Sequence, residues 1–146
     1  MWLALALSAA VVWGFDYAIA QKLFERRISP ITLLFIQMAV GTVALGVISL
    51  FSGKLKKDVL QIVHSADLRW FTALALLGFV IANVLIAFSI KGKNAALAGI
   101  VEISYPLFIV LFSVFMFEHT FISLGTVIGG VLIFAGVVVI QLFPAP

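Results

Sequence analysis

The sequence predicts an all-α integral membrane protein of five transmembrane helices, and three observations lead there. Hydrophobic residues make up 64% of the 146-residue chain, charged residues only 10%, and the mean hydropathy is +1.29. A water-soluble domain averages about 45–50% apolar and about 25% charged residues, so a packed soluble globule is excluded. The few charges, finally, cluster at intervals that leave apolar runs of about 20 residues, the length that crosses a bilayer.

Span one covers about residues 2–21 and ends at Lys22, Glu25, Arg26 and Arg27. Its apolar start lacks the basic leading region of a cleaved signal peptide, so it reads as a true first span. Span two, about 31–51, opens after Ser29-Pro30 in the cap-then-proline order of a helix start. The longest polar stretch follows, with Lys54, Lys56, Lys57, Asp58, His64, Asp67 and Arg69. Interleaved Leu55, Val59, Leu60, Ile62 and Val63 permit a short helix along the membrane interface there. Span three, about 70–90, carries Trp70 at headgroup level. Lys91-Gly92-Lys93-Asn94 leads into span four, about 95–117, and Glu118-His119 separates it from span five, about 120–143.

Short connectors make sequential spans antiparallel in one compact bundle and leave no room for an extramembrane domain. An odd number of spans puts the termini on opposite sides of the membrane. Five basic residues (Lys22, Arg26, Arg27, Lys91, Lys93) flank one side and four (Lys54, Lys56, Lys57, Arg69) the other. Orientation follows the excess of Lys and Arg in short cytoplasmic loops, and five against four is almost no excess. Either the chain inserts both ways and pairs with an inverted copy, or its orientation is fixed by signals that a count misses.

Composition narrows the chemistry. Cysteine is absent, which removes disulfides, thiol catalysis and Cys-ligated metals. The net charge of +3 reflects basic residues at helix ends among anionic headgroups, and no nucleic-acid partner is expected. No G-x-S-x-G, phosphate loop or His-Glu-x-x-His occurs, and His64 and His119 have no metal-ligand spacing. The chain is read as a non-enzyme without metal or cofactor.

All charged residues except Asp16 and Glu102 lie in connectors or at span ends. A charged group at mid-membrane costs about 2.5–3.5 kcal/mol on insertion scales, so these two need a reason. A carboxyl that holds either a proton or a cationic substrate, but not both, is what a proton-coupled carrier requires. The alternative for each is a structural hydrogen bond across the bundle. Tyr105, three residues after Glu102, falls on nearly the same helical face and is the expected partner of the carboxyl. Pro106 removes a backbone donor and clashes with the Glu102 carbonyl, so a kink and a hinge are expected there. Many carriers build their sites from such broken helices, although proline kinks also occur without that role. Trp13, Gln37 and Asn83 are expected to line the cavity with Asp16, and Trp13, Tyr17 and Tyr105 suit an apolar, cation-tolerant pocket. On span five, Gly125, Gly129 and Gly136 form a small-residue stripe for close helix packing, within the bundle or against a second chain.

Two further patterns stand out. One is Val12-Trp13-Gly14-Phe15-Asp16 followed by Ile28-Ser29-Pro30; the other is Ala95-Ala96-Leu97-Ala98, Tyr105-Pro106-Leu107-Phe108, Glu118 and Ile128-Gly129-Gly130 through Gly136-Val137. Together they resemble the EamA-type repeat of the drug/metabolite transporter superfamily over essentially the whole chain. The resemblance implies alternating-access transport of a small organic metabolite or drug-like compound, secondary active by proton coupling or exchange. It also implies a multi-pass protein of a cell membrane, the bacterial inner membrane, with substrate and lipid as partners. Asp16 stands where the family often has Asn, and Gln37 where it often has Arg, so the substrate is not carried over. Most relatives hold two inverted repeats, and this sequence holds one, which implies a half-size member acting as a dimer, antiparallel for preference, or as a paired half-transporter. Glu118 matches a family position at the four-to-five turn and is expected to stabilise that turn. A second reading is a non-transporting membrane subunit, or one half of a heteromeric carrier.

Overall fold

In the computed structural model, residues 1–116 and 123–143 are described, and every regular element among them is helical. The chain runs through α1 (Trp2–Glu25), α2 (Pro30–Ser52), α3 (Leu55–His64), α4 (Ala66–Gly92), α5 (Ala95–Glu102), α6 (Tyr105–Met116) and α7 (Leu124–Leu142). Among the described residues five spans are long and apolar enough to cross a membrane: α1, α2, α4, the α5–α6 pair and α7. In hydrocarbon a backbone must satisfy its own polar groups, which is why apolar runs of this length become helices.

Span ends follow local chemistry. α1 continues one turn past the expected boundary and closes with Ile28 N–H on Leu23 C=O (3.1 Å) and Arg27 N–H on Phe24 C=O (2.9 Å). These two bonds form a Schellman motif, in which Arg27 takes the left-handed conformation (φ 67°) more usual for glycine. Pro30 then starts α2 at a position where a missing N–H costs nothing, and its ring is fully buried. The polar stretch forms α3. The third span begins at Ala66, four residues before the expected start at Trp70, because Ser65 Oγ caps it by accepting from Leu68 N–H (3.3 Å).

Span four is not continuous. α5 ends at Glu102 and α6 begins at Tyr105, with Ile103 and Ser104 between them in a turn. Pro106 has no N–H to offer the Glu102 carbonyl, and the chain instead closes through Ser104 N–H to Val101 C=O (3.2 Å) and Leu107 N–H to Ser104 C=O (3.1 Å).

The tightest packing lies at one end of the bundle. Ala20 and Phe24 of α1 meet Ala87 and Ile90 of α4 and Ala98 of α5, with Leu33 and Leu34 of α2 against them. Three of those five buried residues are alanines, and small side chains let membrane helices approach closely. α5 packs on α4 and α1, α2 packs on α4, and α6 packs on α7. The α6–α7 contact uses a different face of α7 from the Gly125–Gly129–Gly136 stripe. A Cβ on Gly130 would lie 2.6 Å from Leu107 Cδ2, whereas one on Gly129 or Gly136 would meet nothing, and one on Gly125 only its neighbour Ser123. The face of α7 turned to the chain is therefore that of Gly130 and Val137, one residue around from the predicted stripe.

Candidate functional site

α1 and α5 run side by side, joined by hydrogen bonds at two levels. Asn94 caps α5 by accepting from Leu97 N–H (2.8 Å), and Gln21 Oε1 of α1 accepts from Ala95 N–H (2.8 Å). Two of the four unpaired amides at this helix start are thus satisfied, one of them from another span. One turn back along α1, the Tyr17 hydroxyl donates to Glu102 Oε2 at 2.6 Å. Gly99 lies between these levels, and a Cβ there would sit 3.5 Å from Tyr17 Cδ2. A small residue here lets the tyrosine ring lie against α5 on its way to the carboxylate.

Tyr17 replaces Tyr105 as the partner expected for Glu102. Three-residue spacing aligns two side chains only along an unbroken helix, and the turn at Ile103–Ser104 puts Glu102 and Tyr105 on different helices. Tyr105 is 55% exposed and lines the cavity wall beside the carboxylate without bonding to it. The other carboxylate also has a partner: Gln37 Nε2 of α2 donates to Asp16 Oδ1 at 3.1 Å. Asn83 donates to the Phe79 carbonyl one turn back in α4 (2.8 Å). Among the described residues no buried side-chain nitrogen or oxygen lacks a partner.

Two cavities flank α1. The larger, about 1050 Å³, lies between α1, α4 and α5; Glu102, Tyr17, Tyr105 and Asn83 line it, and it extends to the exposed Lys22 and Glu25. The smaller, about 610 Å³, lies between α1, α2 and α4 and holds Asp16, Gln37 and Thr42 among apolar side chains. Trp13, Tyr17, Phe79, Asn83 and Ile86 border both and form their common wall. Within that wall Trp13 and Tyr17 meet edge to face, with centroids 5.7 Å apart and planes at 63°, a favourable aromatic arrangement. The expected site residues are thus distributed: Glu102 and Tyr105 on the larger cavity, Asp16 and Gln37 on the smaller, Trp13 and Asn83 on both. Glu118 lies outside the described residues.

Tyr17, Gln21 and Gly99 complete the arrangement around Glu102. Of these, the sequence singles out only Tyr17, as a cavity aromatic. Pairs 74 and 85 residues apart leave no local pattern; the one available signal was a glycine one turn before an intramembrane carboxyl.

Five apolar spans, one broken beside a carboxylate on a cavity wall, define a multi-pass membrane protein of transporter type. Residues 1–142 match the EamA-like transporter family, and the chain belongs to that family, within the drug/metabolite transporter superfamily. The family is one of transporters rather than enzymes. No match was found among curated proteins or among solved structures.

Proposed function

We propose that this protein is a secondary active carrier of a small organic metabolite or drug-like compound in the bacterial inner membrane, and that Glu102 couples transport to a proton or a counter-substrate. The observation that carries this reading is the Glu102–Tyr17 pair, at the end of α5 where span four breaks, on the wall of a cavity of about 1050 Å³. A carboxylate in this setting can exchange its tyrosine partner for a proton or a substrate cation, and Trp13 and Tyr17 offer ring faces to such a cation. The Glu102 carbonyl, freed by Pro106, lets the two halves of the span bend relative to each other as access alternates.

The working unit in this reading is a dimer, with an inverted second copy supplying a second repeat. Support comes from the nearly even division of basic residues between the two membrane sides and from the open face of α7 at Gly129 and Gly136. That open face equally suits a larger membrane partner, which is the observation behind the non-transporting-subunit reading.

Reconstitution into proteoliposomes with an imposed pH gradient tests the proposal against a panel of labelled amines, amino acids and other small organic compounds. Wild type is expected to accumulate at least one compound and Glu102→Gln none. Equal flux in both would remove Glu102 from coupling, and no flux of any compound would turn the reading to a subunit. Single cysteines at Ser52 and Gly92, in a chain with none of its own, report the topology: labelling of each site from one side only would exclude the inverted pair.

A further inference from the structure

The segment between the second and third spans lies apart from both cavities. α3 is ten residues long and none of them is buried. By helical spacing Leu55, Val59 and Val63 share one face, while Lys57, Gln61 and His64 share the opposite one. The three apolar residues are 40–53% exposed, so the chain leaves that face uncovered even though α3 touches α2 and α4.

Position decides what covers it. α2 ends at Ser52, α4 begins at Ala66, and only Gly53-Lys54 and Ser65 connect them to α3. A helix of about 15 Å, joined this closely to two spans, cannot leave the membrane surface. Arg69 of α4 donates to the Val63 carbonyl, which closes the end of α3 and fixes it to the first turn of α4. Charge then selects the lipid. Lys54, Lys56 and Lys57 cluster at the start of α3, where the helix dipole is already positive and cations are disfavoured. An external anion reverses that penalty.

We propose that α3 is a docking element for anionic phospholipid headgroups. Its apolar face sinks to the acyl boundary, and the three lysines engage headgroup phosphates. Lys56, beside the apolar face, lays its aliphatic stem along it and extends its ammonium to the phosphate layer. Each lysine is expected to contribute about fivefold in favour of anionic over zwitterionic lipid.

The test uses the full chain in nanodiscs of phosphatidylglycerol and phosphatidylcholine in equal parts. Nitroxide labels at Val59→Cys and Val63→Cys should be accessible to oxygen and shielded from a water-soluble nickel chelate, and a label at Gln61→Cys the reverse. Native mass spectrometry should find phosphatidylglycerol enriched on the wild type. The enrichment should fall at least tenfold in K54Q/K56Q/K57Q and persist in K91Q/K93Q, which removes charge from the opposite membrane side. Water-exposed labels at both valines, or equal enrichment in K54Q/K56Q/K57Q and wild type, would overturn the proposal.

Discussion

The bond between Tyr17 and Glu102 has a measurable energy that does not depend on knowing a substrate. The perturbation is a double-mutant cycle of Tyr17→Phe and Glu102→Leu; leucine is chosen because glutamine would keep an acceptor. At 2.6 Å the bond is at the short end for an O–H···O contact, and a bond to an ionised group contributes about 1.5–3 kcal/mol. Both residues are only half-buried, however, beside a cavity wide enough for water to replace either partner. Interhelical hydrogen bonds in membrane bundles average about 0.6 kcal/mol and reach about 1.7. Weighing the short bond against the wet wall puts the coupling at about 1 kcal/mol. Unfolding titrations in mixed micelles measure it, with Tyr105→Phe and Glu102→Leu as the companion cycle, expected to be additive. Coupling of Tyr17 below about 0.3 kcal/mol, the usual limit of additivity, together with measurable coupling of Tyr105, would refute the pairing.

Gly99→Ala should be tolerated, since its Cβ would make an ordinary contact at 3.5 Å from the Tyr17 ring, whereas Gly99→Leu should push the ring off Glu102. The leucine variant should therefore lose the Tyr17–Glu102 coupling in the same cycle. On α7, Gly130→Ile should cost about 1–3 kcal/mol by overpacking against Leu107, and Leu107→Ala should relieve it. Gly129→Ala and Gly136→Ala meet no neighbour and should raise helix stability in the single chain by about 0.5–1 kcal/mol each. Energy transfer between labelled copies would show whether the same two changes weaken self-association.

Five spans could be read from the sequence because hydrocarbon permits an apolar run of this length only one secondary structure, and clusters of charge mark its limits. Boundaries set by a single side chain were harder. Ser65 moves the start of the third span by a turn through one capping bond, which hydropathy does not register. Pro106 was legible as a break, since its chemistry is local. Its effect on Tyr105 was not, because the three-residue rule assumes the unbroken helix that the proline denies. The Asp16–Gln37 and Glu102–Tyr17 bonds depend on how three spans are arranged about one another, and no spacing within a span encodes that. The span-five glycines show the same limit: a periodic stripe identifies a face, but only the position of Leu107 shows that Gly130 is the glycine in contact.

The break in span four divides the chain's labour as well as its helix. α5 is committed to α1 and α4, while α6 is packed on α7, so the two described residues of the turn join a body of three spans and the half-span α5 to a two-helix arm. Glu102 is the last residue of the body before that joint. In the proposed alternating access, a swing of the arm would turn about the backbone of the same residue whose carboxylate Tyr17 holds. Whatever occupies that carboxylate would then sit at the pivot, where a small displacement has the longest lever to act on.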